Sequence, residues 1–485
     1  METTTPVYLA LLAGLCLVVA GGCARKNPDE PVQMAAMEDA IVDAAANSPA
    51  HSPKWDALVR DLSHRYVLGA GRYHPDPALT TLSRQAIDQG CREPFVRYLW
   101  FWHEVSTTSA PSAEMSREGI AVMDDMHGQS YPAFLQTFAA MRSIEMFRRD
   151  TLWTETTDAS KAEYNRLFSL LEHEAMDALE SPGLTERESR VIAGAFEAFW
   201  EDPRYGREVI FRQVEKAVAN RYGDCATVHL LRGNEAILRA WDARGSDYAD
   251  QVTEEGRRIF GEQLRVARKE LTRAWALDPS EPMIAEKMIT VCMGLSLPRE
   301  EMETWFQRGQ SAHAYYPSLC RAKSLYLSPI WLGTLDEQLA FSRECLAHPE
   351  YGSEPALTLW RAHKSYQSIN DLPLAYFAQP RVWDDIKRSF DAYFEREPDM
   401  VFMRMHYAYH AWLARDWRTL SRQLALADPA VTDLRKFVPA PMLSDDDGVR
   451  MDRAREANLE AQQMAAGRAI YDQMLSDSKA HPTGN

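Results

Sequence analysis

The sequence predicts an all-α fold, an αα-hairpin solenoid preceded by an N-terminal helical segment, and three observations predict it. Apolar residues recur at helical spacing through most of the chain, alternating β-branched runs are almost absent, and proline-bearing turns punctuate the helices. The clearest unit lies between Trp241 and Pro282. Phe260, Leu264, Ala267, Leu271 and Ala274 fall at steps of four and three, so they line one stripe of a helix that another helix must cover. Asp278-Pro279 closes that helix. Ser280 is placed to cap the next one with Pro282 in its first turn, and Ala285, Met288, Ile289, Cys292 and Leu295 repeat the stripe.

In chain order, residues 1–22 read as a signal peptide. From Val7 to Ala20 only Tyr8 and Gly14 interrupt an aliphatic run, which at about 14 residues is too short to cross a hydrocarbon core of roughly 30 Å. Residues 23–53, rich in Ala, Pro, Asp, Asn and Ser, read as a flexible tether with a short helix at Met34 to Ala46. Residues 54–204 read as an irregular helical segment. There Phe134, Phe138, Met141 and Ile144 make one stripe, and Tyr164, Leu167, Phe168, Leu171, Ala175 and Leu179 another. Thr185 with Glu188 has the spacing of a reciprocal helix cap, as does Thr334 with Glu337.

Residues 205–430 carry the repeat signal. A proline-bearing turn recurs at Asp278-Pro279, Tyr316-Pro317, Glu397-Pro398 and Asp428-Pro429, at unequal separations of 38, 81 and 31 residues, which fits degenerate hairpins. Pro298 is placed to open a helix carrying Met302, Trp305, Phe306 and Gly309. Residues 431–485 read as a loop, a C-terminal helix over Val449 to Ser476, and a disordered tail. An end helix with a polar outer face caps such an array or meets a partner.

Composition bounds the function. With 485 residues, 46% of them apolar and 10% aromatic, the chain can bury a large core. A net charge of -16 with no basic cluster argues against nucleic acid, because tracking phosphates needs grouped Lys and Arg. Beyond the signal, Cys91, Cys225, Cys292, Cys320 and Cys345 are odd in number and lack close pairs, so they read as small buried hydrophobes. Cys320 with Cys292 or Cys345 is the one pairing considered for a disulfide.

Motifs that would dictate a reaction are missing: the sequence has no Gly-x-Ser-x-Gly, no P-loop and no Gly-x-Gly-x-x-Gly. His406 and His410 share a helix face but lack further metal ligands, and His173-Glu174 is followed by Asp177 where a second His would be needed. They read as core or interface residues. Phe95, Tyr98, Leu99, Trp100, Phe101 and Trp102 are apolar all round a helix, which reads as an enclosed helix and alternatively as a platform for sugar rings. Asp124-Asp125 and Asp384-Asp385 read as solvated faces, and Asp445-Asp446-Asp447 as a loop. No metal or cofactor is expected, and catalysis is not nominated. The Trp241-Asp242-Ala243-Arg244-Gly245-Ser246 segment reads first as a helix end, with Gly245 in the left-handed position, Arg244 near the carbonyls and Trp241 packed inward. The same segment makes Trp241, Asp242, Arg244 and Tyr248, with Trp305 and Trp331, the candidate groove residues.

Two resemblances sharpen the expectation. Ala20-Gly21-Gly22-Cys23 after the apolar run resembles the lipobox of bacterial lipoproteins, which implies a lipidated Cys23 as the first mature residue. The order Trp241-Asp242-Ala243-Arg244-Gly245-Ser246, Tyr248-Ala249, Val252-Thr253-Glu254-Glu255-Gly256 and Phe260, then Trp305-Phe306-x-Arg308 and Trp331-x-Gly333-Thr334, resembles an uncharacterised bacterial family of tetratricopeptide-like (TPR-like) proteins over roughly residues 220–350. Arg257-Arg258 stands where that pattern has an aromatic. Together they imply a TPR-like fold, lipid-anchored to a membrane of the bacterial cell envelope, and not a function. The groove that stacked hairpins form makes an interaction or scaffold protein with a protein or peptide partner the expected role, and the charge argues against nucleic acid. The alternatives are a secreted or periplasmic location, and a glycan-binding or glycan-cleaving lipoprotein with a small-molecule or glycan ligand.

Overall fold

The computed structural model of the chain describes residues 30–69, 77–107, 113–147, 157–181, 184–197, 207–245, 251–313, 316–398, 400–427 and 453–481. Among them every regular element is helical, as the periodicities predict, and none is long and apolar enough to cross a membrane. They fall into two compact units, one chiefly of residues 30–326 and one chiefly of 327–481. The expected boundary at 204–205 lies inside the first.

The first unit contains α1 (Glu30–Ala46), α2 (Asp56–Gly69), α3 (Pro77–Asp88), α4 (Pro94–Thr107), α5 (Ala113–Met126), α6 (Ala133–Phe147) and α7 (Asp158–Glu180). It continues with α8 (Glu186–Glu197), α9 (Arg207–Tyr222), α10 (Ala226–Arg244), α11 (Glu254–Leu277), α12 (Pro282–Gly294), α13 (Arg299–Ala312) and α14 (Pro317–Tyr326). The second contains α15 (Leu335–Ala347), α16 (Thr358–Ile369), α17 (Pro380–Phe394), α18 (Val401–Leu413), α19 (Trp417–Leu424) and α20 (Arg453–Ala480). Neighbours in sequence are mostly neighbours in space.

Within the stretch 23–53, the short helix expected at Met34 to Ala46 runs over Glu30–Ala46 and is docked on the unit. Ile41, Ala44 and Ala45 of α1 are buried in one core with Val59, Leu62 and Tyr66 of α2 and with Phe95 and Leu99 of α4. Ile41, Ala44 and Ala45 fall at helical spacing on one face, and the small alanine side chains let α1 lie close to α2. The aromatic-rich α4 is enclosed, with Phe95, Tyr98, Leu99 and Phe101 buried and Tyr66 set edge-on to Phe95, Tyr98 and Trp102. In α7 all six stripe residues are buried. Thr157 and Ser160 cap its start reciprocally, a pairing the sequence reading did not single out.

The hairpin of α10 and α11 is held by the predicted stripe, since Leu264, Ala267, Leu271 and Ala274 are sealed from solvent. Each fully buried Leu contributes about 1.5–3 kcal/mol. Thr253 caps α11 through the Gly256 N–H. A second hairpin, α12 with α13, stacks on the first, and Arg268 of α11 reaches Glu301 of α13 at 2.8 Å. The cap of α12 differs from the expectation. Ser280 turns back to donate its hydroxyl to Asp278 over 2.6 Å, and Glu281 is the capping residue, accepting from the Met283 N–H. With Pro282 as the first helical residue, position 281 and not 280 is the N-cap, so Ser280 closes a turn on Asp278 instead.

In the second unit the Thr334–Glu337 reciprocal cap opens α15 as the spacing predicts. The core of α16, α17 and α18 is aromatic, with Phe390 stacked on Tyr407 at 4.9 Å and Trp360 tilted against Phe390. The end helix α20 packs Tyr471 and Met474 against α18 and α19, and Trp412 donates to Asp477 over 2.8 Å. It closes an apolar end, the role that a terminal helix takes in a helical array.

Candidate functional site

The Trp241–Gly245 segment is a helix end. Gly245 lies at φ 73°, a region favouring glycine, and its N–H donates to the Trp241 carbonyl over 2.9 Å. Trp241 sets its ring edge-on to Phe260 of α11 at 5.1 Å, and the Arg244 guanidinium lies 5.6 Å from the Trp241 ring centroid. Asp242 is exposed on the same turn. The cap and the inward packing of Trp241 are both present, and they leave Asp242 and Arg244 at the rim of the hairpin. Tyr248 lies outside the described residues, as do Cys23 and Asp445 to Asp447.

Trp305 belongs to the same unit but not to the same spot. It is 4% exposed, edge-on to Trp275 at 5.6 Å, with the exposed Arg308 guanidinium 4.4 Å from its ring. Phe260 and Trp275, the two residues of α11 that receive these tryptophans, are fifteen positions apart. At the helical rise that is about 22 Å along the helix and within about 60° of one face. The geometry is a line of two aromatic–arginine pairs along α11 and not one pocket. Trp331 belongs to the second unit, in a turn where its backbone N–H donates to the Ser328 carbonyl over 3.0 Å.

Two clusters rich in chemistry are invisible in the sequence spacing. In the first unit Arg190 of α8 is buried and donates to Glu281 over 2.6 Å, to Asp278 over 3.1 Å and to Glu186 over 3.3 Å, while its Nε reaches Thr227. Burial would raise the Asp278 carboxyl, but Ser280 and Arg190 hold it below its ordinary value. The cluster ties α8, the start of α10 and the α11–α12 turn together.

In the second unit Asp385 sits deep in the core, which corrects the solvated-face reading of Asp384-Asp385. Asp384 alone keeps that role, paired with Arg388. Asp385 accepts a two-pronged contact from Arg343, at 2.6 and 3.2 Å, and a hydrogen bond from His363 Nε2 at 3.2 Å. Burial would raise its pKa, yet the hydrogen bonds from His363 and Arg343 outweigh it and hold it down to about 2. Because the carboxylate only accepts, His363 Nε2 carries the hydrogen and Nδ1 meets the Tyr376 hydroxyl at 2.8 Å. Burial, then the nearby Tyr366 and Asp385, push Tyr376 up to about 12, so this hydroxyl is a donor and not an activated nucleophile.

His406 and His410 lie in the same core. His410 donates from Nδ1 to the His406 carbonyl over 2.9 Å and accepts from Trp360 Nε1 at 3.3 Å, which satisfies a neutral ring; burial pushes its pKa down to about 4. His173 pairs with Asp177 on the surface, Asp124 with Arg166, and Asp125 with Arg97. The five cysteines from Cys91 to Cys345 are free and buried, so the disulfide considered for Cys320 is not formed; burial pushes Cys292 up to about 12. Among the described residues no three His, Cys, Asp or Glu side chains are grouped to hold a metal ion. No family model matches the chain, and no curated protein matches it.

Proposed function

We propose that this protein is a TPR-like interaction protein that is lipid-anchored through Cys23 in the bacterial cell envelope and holds a protein or peptide partner. The observation that carries the reading is that Arg244 of α10 and the exposed Arg308 of α13 each overlie a tryptophan, Trp241 and Trp305, whose ring partners on α11, Phe260 and Trp275, lie about 22 Å apart along that helix. An extended peptide of about seven residues covers that distance, and aromatic and Arg side chains are the usual anchors of such contacts. The stacked hairpins supply the rigid backing. The glycan alternative rested on the residues of α4, and Phe95, Tyr98 and Phe101 there face the core.

The anchor is tested on the full chain expressed in a bacterial host beside Cys23→Ser. An intact mass that begins at Cys23 with acyl groups, together with loss of membrane partitioning in the variant, supports it. Unmodified, equally soluble proteins remove it. The partner surface is tested with a photo-crosslinking residue at Asp242 or at Arg308, both exposed. One common product from both positions supports an extended partner; no product at either position removes the groove.

A further inference from the structure

We infer that His229 is a pH-responsive brace of the α10–α11 hairpin, closed when its imidazole carries both ring hydrogens and loosened when it carries one. Nδ1 lies 2.7 Å from Oε2 of Glu270 on α11, and Nε2 lies 2.6 Å from Oδ1 of Asp224 in the turn before α10. Arg273, almost a turn beyond Glu270, donates to the other Asp224 oxygen over 2.7 Å. The four side chains form one chain, Glu270, His229, Asp224, Arg273, that crosses from α11 to α10 and back.

The geometry sets the protonation requirement. An ionised carboxylate only accepts, so two contacts this short need a hydrogen on each ring nitrogen. A neutral imidazole has one, which leaves the lone pair of its other nitrogen against a carboxylate oxygen. Hydrogen bonds from Arg273 and His229 hold the Asp224 carboxyl below its ordinary value, so Asp224 stays ionised while the ring gains or loses its second proton. Several charged groups on the other elements packed against α10 have partners of their own. Glu186 and Arg190 of α8 hold Thr227, Glu215 of α9 pairs with Arg232, and Glu286 of α12 accepts from Tyr316. Glu270, Asp224 and Arg273 are the charged groups joined in one chain of contacts with the ring.

The brace ties the same two helices that hold Trp241 against Phe260 at their other end. Its state therefore sets how firmly the hairpin carrying Trp241, Asp242 and Arg244 is held. Acid tightens it; a rise in pH removes one of two charge-assisted hydrogen bonds and loosens it.

Amide hydrogen exchange of the full chain, corrected for the intrinsic pH dependence and read on peptides covering 224–235 and 264–277, tests the brace at about pH 5.5 and 8. Protection of these segments is expected to be about tenfold higher at the lower pH, the factor carried by one charge-assisted hydrogen bond. In His229→Gln, which cannot take up a proton, the difference disappears. Glu270→Gln is the second variant, because its amide can accept from or donate to the ring and so holds the contact at both pH values; there the difference shrinks. A wild type protected equally at both pH values, or a full difference retained in His229→Gln, overturns the inference. If His229→Gln does not fold, an unchanged difference in Glu270→Gln overturns it.

Discussion

Arg190 and Glu281 are ninety-one positions apart, yet their side chains meet at 2.6 Å and are only 4% and 1% exposed. Taking two charges out of water is unfavourable, and the pair persists because Asp278, Glu186 and Thr227 complete the guanidinium's hydrogen bonds. Arg190→Met strands the Glu281 carboxylate and is expected to destabilise the first unit by about 3–5 kcal/mol. Adding Glu281→Gln to that variant recovers part of the loss, because the uncompensated charge is gone. Urea unfolding of the single and double variants measures both; equal stability of the two overturns the account.

Asp385 makes acid stability titratable in the second unit. Its folded pKa of about 2 lies below the ordinary aspartate value, so its contribution is fully present above about pH 4 and is lost as pH falls through about 2. The shift corresponds to roughly 2 kcal/mol. Asp385→Asn is expected to be less stable at neutral pH by about that amount and to lose less on acidification between pH 4 and 2. The check is denaturant unfolding at a series of pH values. Parallel pH curves for the two proteins remove Asp385 as the source.

What the sequence reveals and what it hides divides along a physical line. The stripe from Leu264 to Ala274, the Thr334–Glu337 cap and the Gly245 helix end are legible because each depends on residues within a few positions, where helical geometry fixes who meets whom. Arg190 with Glu281, and His363 with Asp385, depend on which helices pack together, and sequence spacing carries no signal for that. The buried acidic residue at 385 looked like its exposed neighbour Asp384, since adjacent helix positions differ by about 100° and only the burial of the helix decides which faces inward. The docking of α1 on α2 is hidden for the same reason. Alanines contribute little to a hydrophobic pattern but pack well once α2 is present.

The close approach of α10 and α11 gives a paired test at glycine. A Cβ on Gly256 would lie 2.5 Å from the Ala243 carbonyl oxygen, which is backbone and cannot rotate aside. Gly256→Ala is expected to destabilise the first unit by about 1–3 kcal/mol. Gly261, one turn further along α11, meets only the far end of the Arg265 side chain, at 3.5 Å. Gly261→Ala is expected to stabilise by about 0.5–1 kcal/mol through helix propensity. Thermal unfolding of the two variants should therefore move in opposite directions, and a common direction would show that the hairpin is looser than the contact at Ala243 implies.

His410 gives the second unit a further, separate pH dependence. Its neutral ring is satisfied on both sides, by the His406 carbonyl and by Trp360 Nε1, and burial holds its pKa down to about 4. In the unfolded chain the ring takes a proton near the ordinary value of about 6.5, so stability is fully present above that pH and falls as pH drops toward 4. Between pH 7 and 5 this removes roughly 2 kcal/mol. His410→Gln retains polar contacts without titrating, and is expected to show a smaller loss over that interval despite a lower stability at pH 7. Its dependence is distinguishable from that of Asp385, which acts below pH 4. If His410→Gln loses as much stability as the wild type between pH 7 and 5, His410 is not the source of the loss.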